Sequence, residues 1–276
     1  MGSIFPFEIE KMILDFLAED DPRHSALKMC SLVCQAFLHI CRKHIFGNIL
    51  LNAYYDVGSS LCLSTPPFEI LLRETPEIAD YIHKLDYTIQ IEDLTNPSIQ
   101  ESLKRISKLE FLTVRYHNFP RLDWSNNSIR PALLQLLHLP TLTHFKVAGT
   151  IQDFVVSDLI RCVNLKYLDI GDYTTVAAEN KFPASSLEHS IQPNEFVVGI
   201  GTAVTMVKLC TARRPDGQPI IDFGSLPKIT VAFEKLNEGE ASQELLRHCH
   251  NLTNVHLVCK CYLQRDHQVK LLAPFY

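Results

Sequence analysis

The sequence predicts an α/β chain. A small N-terminal helical unit, residues 1–48, leads through a connecting segment, 49–76, into an irregular arc of short parallel strands with return helices, 77–276. Three observations carry this. Apolar residues recur with a helical period through the first 46 residues, a six-residue apolar pattern returns seven times beyond residue 77, and several of those copies are preceded by helical runs.

The first helix opens at PFEIEKMILDFLAEDDP. Pro6 suits the first helical position, where its missing N–H costs nothing, and Glu8 and Glu10 complement the positive end of the dipole. Ile9, Met12, Ile13, Phe16 and Leu17 recur at i, i+3, i+4, i+7 and i+8. The helix is expected to stop near Ala18, with Asp20, Asp21 and Pro22 in a turn and a second run from Ser25 or Ala26.

CSLVCQAFLHICRKHIF, residues 30–46, contains neither proline nor glycine before Gly47. As one helix it places Leu27, Cys30, Cys34, Phe37 and Cys41 along one edge with Val33, Ala36 and Ile40 beside them. A helix facing a single core needs an apolar stripe of roughly 100°, and this face is far wider. One side is expected to pack on the first helix and the other to meet a partner, because a unit this short buries too little surface to be stable alone.

FPFEIEKMILDFL followed by LKMCSLVCQAF resembles the F-box family, with Pro6, Glu8, Ile9, Ile13, Leu17, Leu32, Val33, Cys34 and Phe37 on matching positions. Phe5 replaces the usual Leu, Glu10 stands where the family mostly has Leu, and the turn AEDDPRHSA is longer than average. The resemblance implies docking on the Skp-type adaptor of a cullin-scaffolded ubiquitin ligase. The contact residues it implies are Phe5, Pro6, Ile9, Ile13, Leu17, Leu32, Val33, Cys34 and Phe37.

Residues 49–76, with Gly58, Ser59, Ser60 and TPP at 65–67, read as the connecting segment. The pattern then appears as IHKLDY, LEFLTV, LTHFKV, LKYLDI, VTMVKL, LPKITV and LTNVHL, starting at residues 82, 109, 142, 165, 204, 226 and 252. Helical runs precede the copies at 142, 165 and 252. This order resembles the leucine-rich repeats that often follow an F-box. The family's Asn or Cys after the last Leu is replaced by Gln90, His117, Thr150, Tyr173, Ala212, Glu234 and Lys260, which implies an arc without an inner asparagine ladder.

Strand alternation points pairs such as Phe145 with Val147 and Leu168 with Ile170 into the core. The residues between them, Asp86, Thr113, Lys146, Asp169, Lys208, Thr230 and His256, are expected on a concave face that holds a protein target.

Composition excludes several classes. A formal charge of −5 with interspersed signs provides no phosphate-binding stripe, so no nucleic acid is expected. Glu8 and Glu10 argue against a signal peptide and Pro6 against myristoylation, while FVVGIGTAVTMV is too short to span a bilayer. No membrane is expected. Nine cysteines, an odd number set within apolar patterns, read as reduced thiols of a cytoplasmic or nuclear protein.

HCHNLTNVHLVCKC holds the right atoms for zinc at the wrong spacing, so no metal is expected. GIGTAV lacks the third glycine of a dinucleotide turn and reads as a loop, so no cofactor is expected. No hydrolase or phosphate-loop motif occurs. Trp124 is expected to be partly buried against the arc. The sequence therefore predicts a non-enzymatic receptor subunit. A repeat scaffold unconnected with ubiquitin is the alternative, followed by a Cys/His-dependent hydrolase or zinc enzyme.

Overall fold

The computed structural model describes residues 6–20, 24–53, 60–177, 190–203 and 216–259, together with 207, 210, 211, 213 and 214. The N-terminal unit consists of α1 (Phe7–Asp20), α2 (Ser25–Cys30) and α3 (Gln35–Phe46). Pro6, expected at the first helical position, instead stands just before α1, its carbonyl accepting the amides of Ile9 and Glu10.

The expected long helix over 30–46 is broken. The Ser31 hydroxyl donates to the Lys28 carbonyl at 2.7 Å, and Cys34 adopts extended backbone as the cap of α3. A local side-chain bond of this kind competes with helix propagation. Consequently Cys34 is exposed, while Leu27 and Cys41 are fully buried, so they do not share one edge. Leu14, Leu27, Ile40, Cys41 and Ile45 form a small core of their own.

The remainder is built on strands β1 (Asn48–Leu51), β2 (Leu61–Leu63), β3 (Lys84–Thr88), β4 (Phe111–Tyr116), β5 (Leu122–Asp123), β6 (His144–Gly149), β7 (Ile151–Gln152), β8 (Tyr167–Ile170), β9 (Glu195–Val198), β10 (Lys228–Phe233) and β11 (Asn254–Cys259). Nine of them form one parallel sheet in the order β11-β10-β9-β8-β6-β4-β3-β1-β2, and β5 pairs with β7 in a separate parallel ladder. Helices α4 (Thr65–Glu74), α5 (Pro97–Lys104), α6 (Arg130–Leu137) and α7 (Leu236–Arg247) are interspersed. Pro occupies the first turn of α4, α5 and α6, where its fixed φ favours helix entry.

A parallel sheet covered on both faces shows continuous apolar runs. Here FLTVRY and HFKVAG alternate buried and half-buried residues, so one face is covered and the other open. The covered face stacks Leu85, Leu112, Phe145, Leu168, Phe196 and Ile229 in one register row. All six are essentially inaccessible, and full burial of such side chains contributes about 2 kcal/mol each. Gly149 ends β6 at φ 94°, and a Cβ there would lie 2.0 Å from the Tyr116 carbonyl oxygen.

Two expectations about the strands are corrected. The sheet starts at Asn48, so the segment read as connecting, 49–76, carries β1, β2 and α4. Asp93, 2% exposed, fixes this segment: its carboxylate accepts from Asn52 Nδ2, the Thr65 and Tyr87 hydroxyls and the Gln90 amide. Between β8 and β10 the large sheet holds Glu195–Val198; of the expected copy VTMVKL, residues 204–206, 208 and 209 lie outside the described residues, and Val207, like Ala203, Cys210 and Thr211 beside it, is helical.

The helical unit is continuous with the sheet. Phe46 packs against both cores, Gly47 accepts the amides of His83 and Lys84, and Arg42 pairs with Glu77 at 3.1 Å.

Candidate functional site

Two surfaces stand out, one on each part of the molecule. On the helical unit Leu14 turns inward, which leaves Ile9, Met12, Ile13 and Phe16 as an exposed stripe along α1. Phe16 is 60% exposed, and beyond α2 the broken helix presents Leu32 at 79% and Val33 at 69%, with Met29 beside them in sequence. Seven of the twelve exposed large hydrophobic side chains among the described residues lie here. Such concentration marks interaction surfaces, whereas scattered apolar residues do not.

Of the residues implied as adaptor contacts, Pro6, Ile9, Ile13, Leu32, Val33 and Cys34 are exposed. Leu17 and Phe37 are half-buried against the helical core, so their role in the fold is packing. Phe5 lies outside the described residues. Met12 and Phe16 share the helical period of Ile9 and were legible as part of its stripe, whereas Met29 carried no signal beyond standing four residues before Val33.

The second surface is the open face of the sheet. Asp86, Thr113, Lys146, Asp169, Thr230 and His256 fall in one register row. Its place between Asp169 and Thr230 belongs to Val197, and Lys208 lies outside the described residues.

The charged members are paired. Arg115 bonds Asp86 at 2.8 Å, and the Lys146 ammonium sits on Asp169 Oδ2. Burial pushes both carboxyl groups above their ordinary range, outweighing the cations beside them. The Asp169 side chain is only 3% exposed, so this residue is buried on a face where sequence alternation predicted an outward one. In the adjacent row Phe111 stacks on His144 at 4.1 Å and His144 on Tyr167 at 5.6 Å. Burial, and then Lys166, lowers the His144 pKa.

Past this row the strands carry small residues, Ala148 and Ala232, and Gly171 and Gly199 follow β8 and β9. They leave a hollow of about 490 Å³ bordered by Arg115, His117 and Lys146 from the β4 and β6 side and by Asp169 and Asp172 from the β8 side.

GIGTAV does follow a strand and lead into helical residues, in contrast to the expected bare loop. Its turn already holds a carboxylate, because Asp172 Oδ1 accepts the Ile200 amide at 2.7 Å. An anion such as a phosphate would meet that charge.

Among the described residues no three His, Cys, Asp or Glu side chains come together as metal ligands. Cys249 donates to the Leu245 carbonyl, His256 and Cys259 lie on β11, and Cys261 is outside the described residues. Burial pushes the Cys41 and Cys249 thiols up to about 11 and Cys210 up to about 12, which holds them in the protonated, weakly nucleophilic form. No described helix is long and apolar enough to cross a membrane.

No family model, curated protein or solved structure matches this chain.

Proposed function

We propose that this chain is a non-enzymatic receptor subunit of a cullin-type ubiquitin ligase. The helical unit acts as an F-box that docks a Skp-type adaptor through Ile9, Ile13, Leu32, Val33 and Cys34, with Met12, Phe16 and Met29 extending the surface. The repeat-like sheet holds a protein target on its open face. Chemistry belongs to the partners, and the contribution of this chain is proximity: it raises the effective concentration of a target lysine beside the conjugating enzyme.

The observation that carries the reading is the exposed apolar stripe on a helical unit whose core, among the described residues, is Leu14, Leu27, Ile40, Cys41 and Ile45. A unit of that size with so much apolar surface outward is built to be completed by another chain. Affinity purification of the full chain, compared with a chain lacking residues 1–48, tests the reading. Recovery of a Skp-type adaptor with the full chain alone is expected, and its absence from both would refute it.

A second reading is a binding scaffold unconnected with ubiquitin, in which the helices cap the sheet. The observation in its favour is the shared packing of Phe46 and the bonds to Gly47 that join the helices to the sheet. The same purification separates the two, because a cap recovers targets without an adaptor.

A further inference from the structure

We infer that the hollow at the carboxyl ends of β4, β6, β8 and β9 seats one arginine side chain of the captured protein. Asp169 receives its guanidinium, and Lys146 is an internal cation that the arginine displaces. The inference rests on the proposal that the open face captures a protein target, and adds the chemistry by which one side chain is selected.

Asp169 provides the first argument. Its Oδ2 takes the Lys146 ammonium and, at 3.4 Å, the Tyr167 hydroxyl, while Oδ1 is buried without any hydrogen-bond partner. A buried carboxylate oxygen left unpaired is costly. An ammonium on one oxygen cannot cure this, whereas a guanidinium presents two parallel N–H groups to the two oxygens.

Lys146 provides the second. Its side chain is 36% exposed, so its flexible stem lets the ammonium rise into water and uncover the carboxylate. Shape agrees: Ala148, Val197 and Ala232 line the hollow with apolar surface on which the methylene stem of an arginine can lie.

Charge selects the sign of the ligand. Arg115 and Lys146 border the hollow with two carboxylates, Asp169 and Asp172, and the unpaired Asp169 Oδ1 is the atom that calls for a donor. Burial, and then Arg115, lowers the His117 pKa, so that this imidazole is neutral at neutral pH. An acidic side chain would add a third carboxylate beside Asp169 and Asp172. Arg115 Nε, buried and without an acceptor, is the matching donor for a main-chain carbonyl of the same peptide.

The test is a titration of the full chain with a short uncharged peptide carrying one central arginine, followed by the backbone amide shifts of Ala148, Gly171 and Ala232. The controls carry citrulline, a neutral isostere, or glutamate in its place. Saturable shifts are expected with arginine alone. Asp169→Asn and the hollow-filling Ala232→Leu should each abolish them, and Lys146→Ala should tighten binding several-fold by removing the internal competitor. Equal binding of the citrulline peptide, preference for glutamate, absence of arginine binding, or weaker binding by Lys146→Ala would overturn the inference. Adaptor binding is read separately on the same proteins, so failure here leaves the ubiquitin reading standing and loss of adaptor binding leaves this one standing.

Discussion

The Trp124 indole donates its Nε1–H to Asp158 Oδ2 at 2.8 Å, and the same carboxylate takes the Arg130 guanidinium through both of its oxygens. Trp124 is 1% exposed, so this tryptophan, which sequence reading placed as partly buried, sits wholly inside and has no surface from which to anchor a partner. Asp158→Ala leaves an indole N–H and a guanidinium without their acceptor, and should destabilise the sheet region by about 3 kcal/mol. Because Trp124 is the single tryptophan, urea unfolding followed by its fluorescence reads the site directly. An unchanged midpoint would contradict the assignment.

Asp169 makes stability depend on pH in an unusual direction for a carboxylate. Burial holds its folded pKa above the ordinary value, so the folded state keeps the proton more tightly than the unfolded chain. The stability that this proton confers is present below the unfolded pKa and is lost as pH rises through the folded one. Asp169→Asn removes that loss, and Lys146, being partly exposed, can turn to water. The variant should therefore gain on the wild type as pH rises from about 4 to about 7. Chemical denaturation at both pH values measures this, and a wild-type advantage that grows with pH would show the pairing with Lys146 to dominate.

The small helical core predicts local opening. Leu27 is inaccessible at its centre, and Leu27→Ala should cost about 3 kcal/mol there. Hydrogen exchange should accelerate across α1 to α3 while β4, β6 and β8 keep their protection. Uniform acceleration across the sheet would instead make the two parts one cooperative unit.

Thiol reactivity follows exposure. Cys34 and Cys62 are exposed, whereas Cys41, Cys162 and Cys210 are buried with their thiols pushed up in pKa. Alkylation with peptide mapping should label Cys34 and Cys62 in the native protein and the buried three only in denaturant. Native labelling of Cys41 as fast as Cys34 would contradict the packing of α3 on the helical core.

Much of the sheet was legible because a two-residue alternation repeated at each rung reports burial on one face. Six of the seven copies coincide with strands, and six of the seven expected outward residues share a row. Of the copy expected at 204–209 only Val207 lies among the described residues, where it is helical, and spacing alone cannot separate a short apolar strand from a helical turn. EFVV, the true strand, had been read only as part of an apolar run. Residues 49–76, read as a connecting segment, carry β1 and β2, because neither the pairing of β1 with β3 nor the Asp93 network, with a partner 41 residues away, leaves a local signal. Ser31 hid the break between α2 and α3, since its bond to Lys28 has no signature beyond the residue type. Asp169 was legible as a position and illegible as an environment, because alternation places it on the open face and does not report its contacts with Lys146 and Tyr167.

On the proposed function, the exposed apolar surface of the helical unit docks a Skp-type adaptor. Leu32 and Val33 are its most open members and contribute nothing to the helical core, so Leu32→Glu with Val33→Glu tests binding without disturbing the fold. Phe37, which packs on that core, is unsuitable for this purpose. The measurement is the affinity of purified full-length chain for a purified Skp-type adaptor by calorimetry, wild type against the double variant, with thermal unfolding recorded for both. Tight binding by the wild type, a loss of at least about a hundredfold in the variant, and superimposable unfolding curves are expected. Equal affinity of the two proteins, or no binding by the wild type, would contradict this docking.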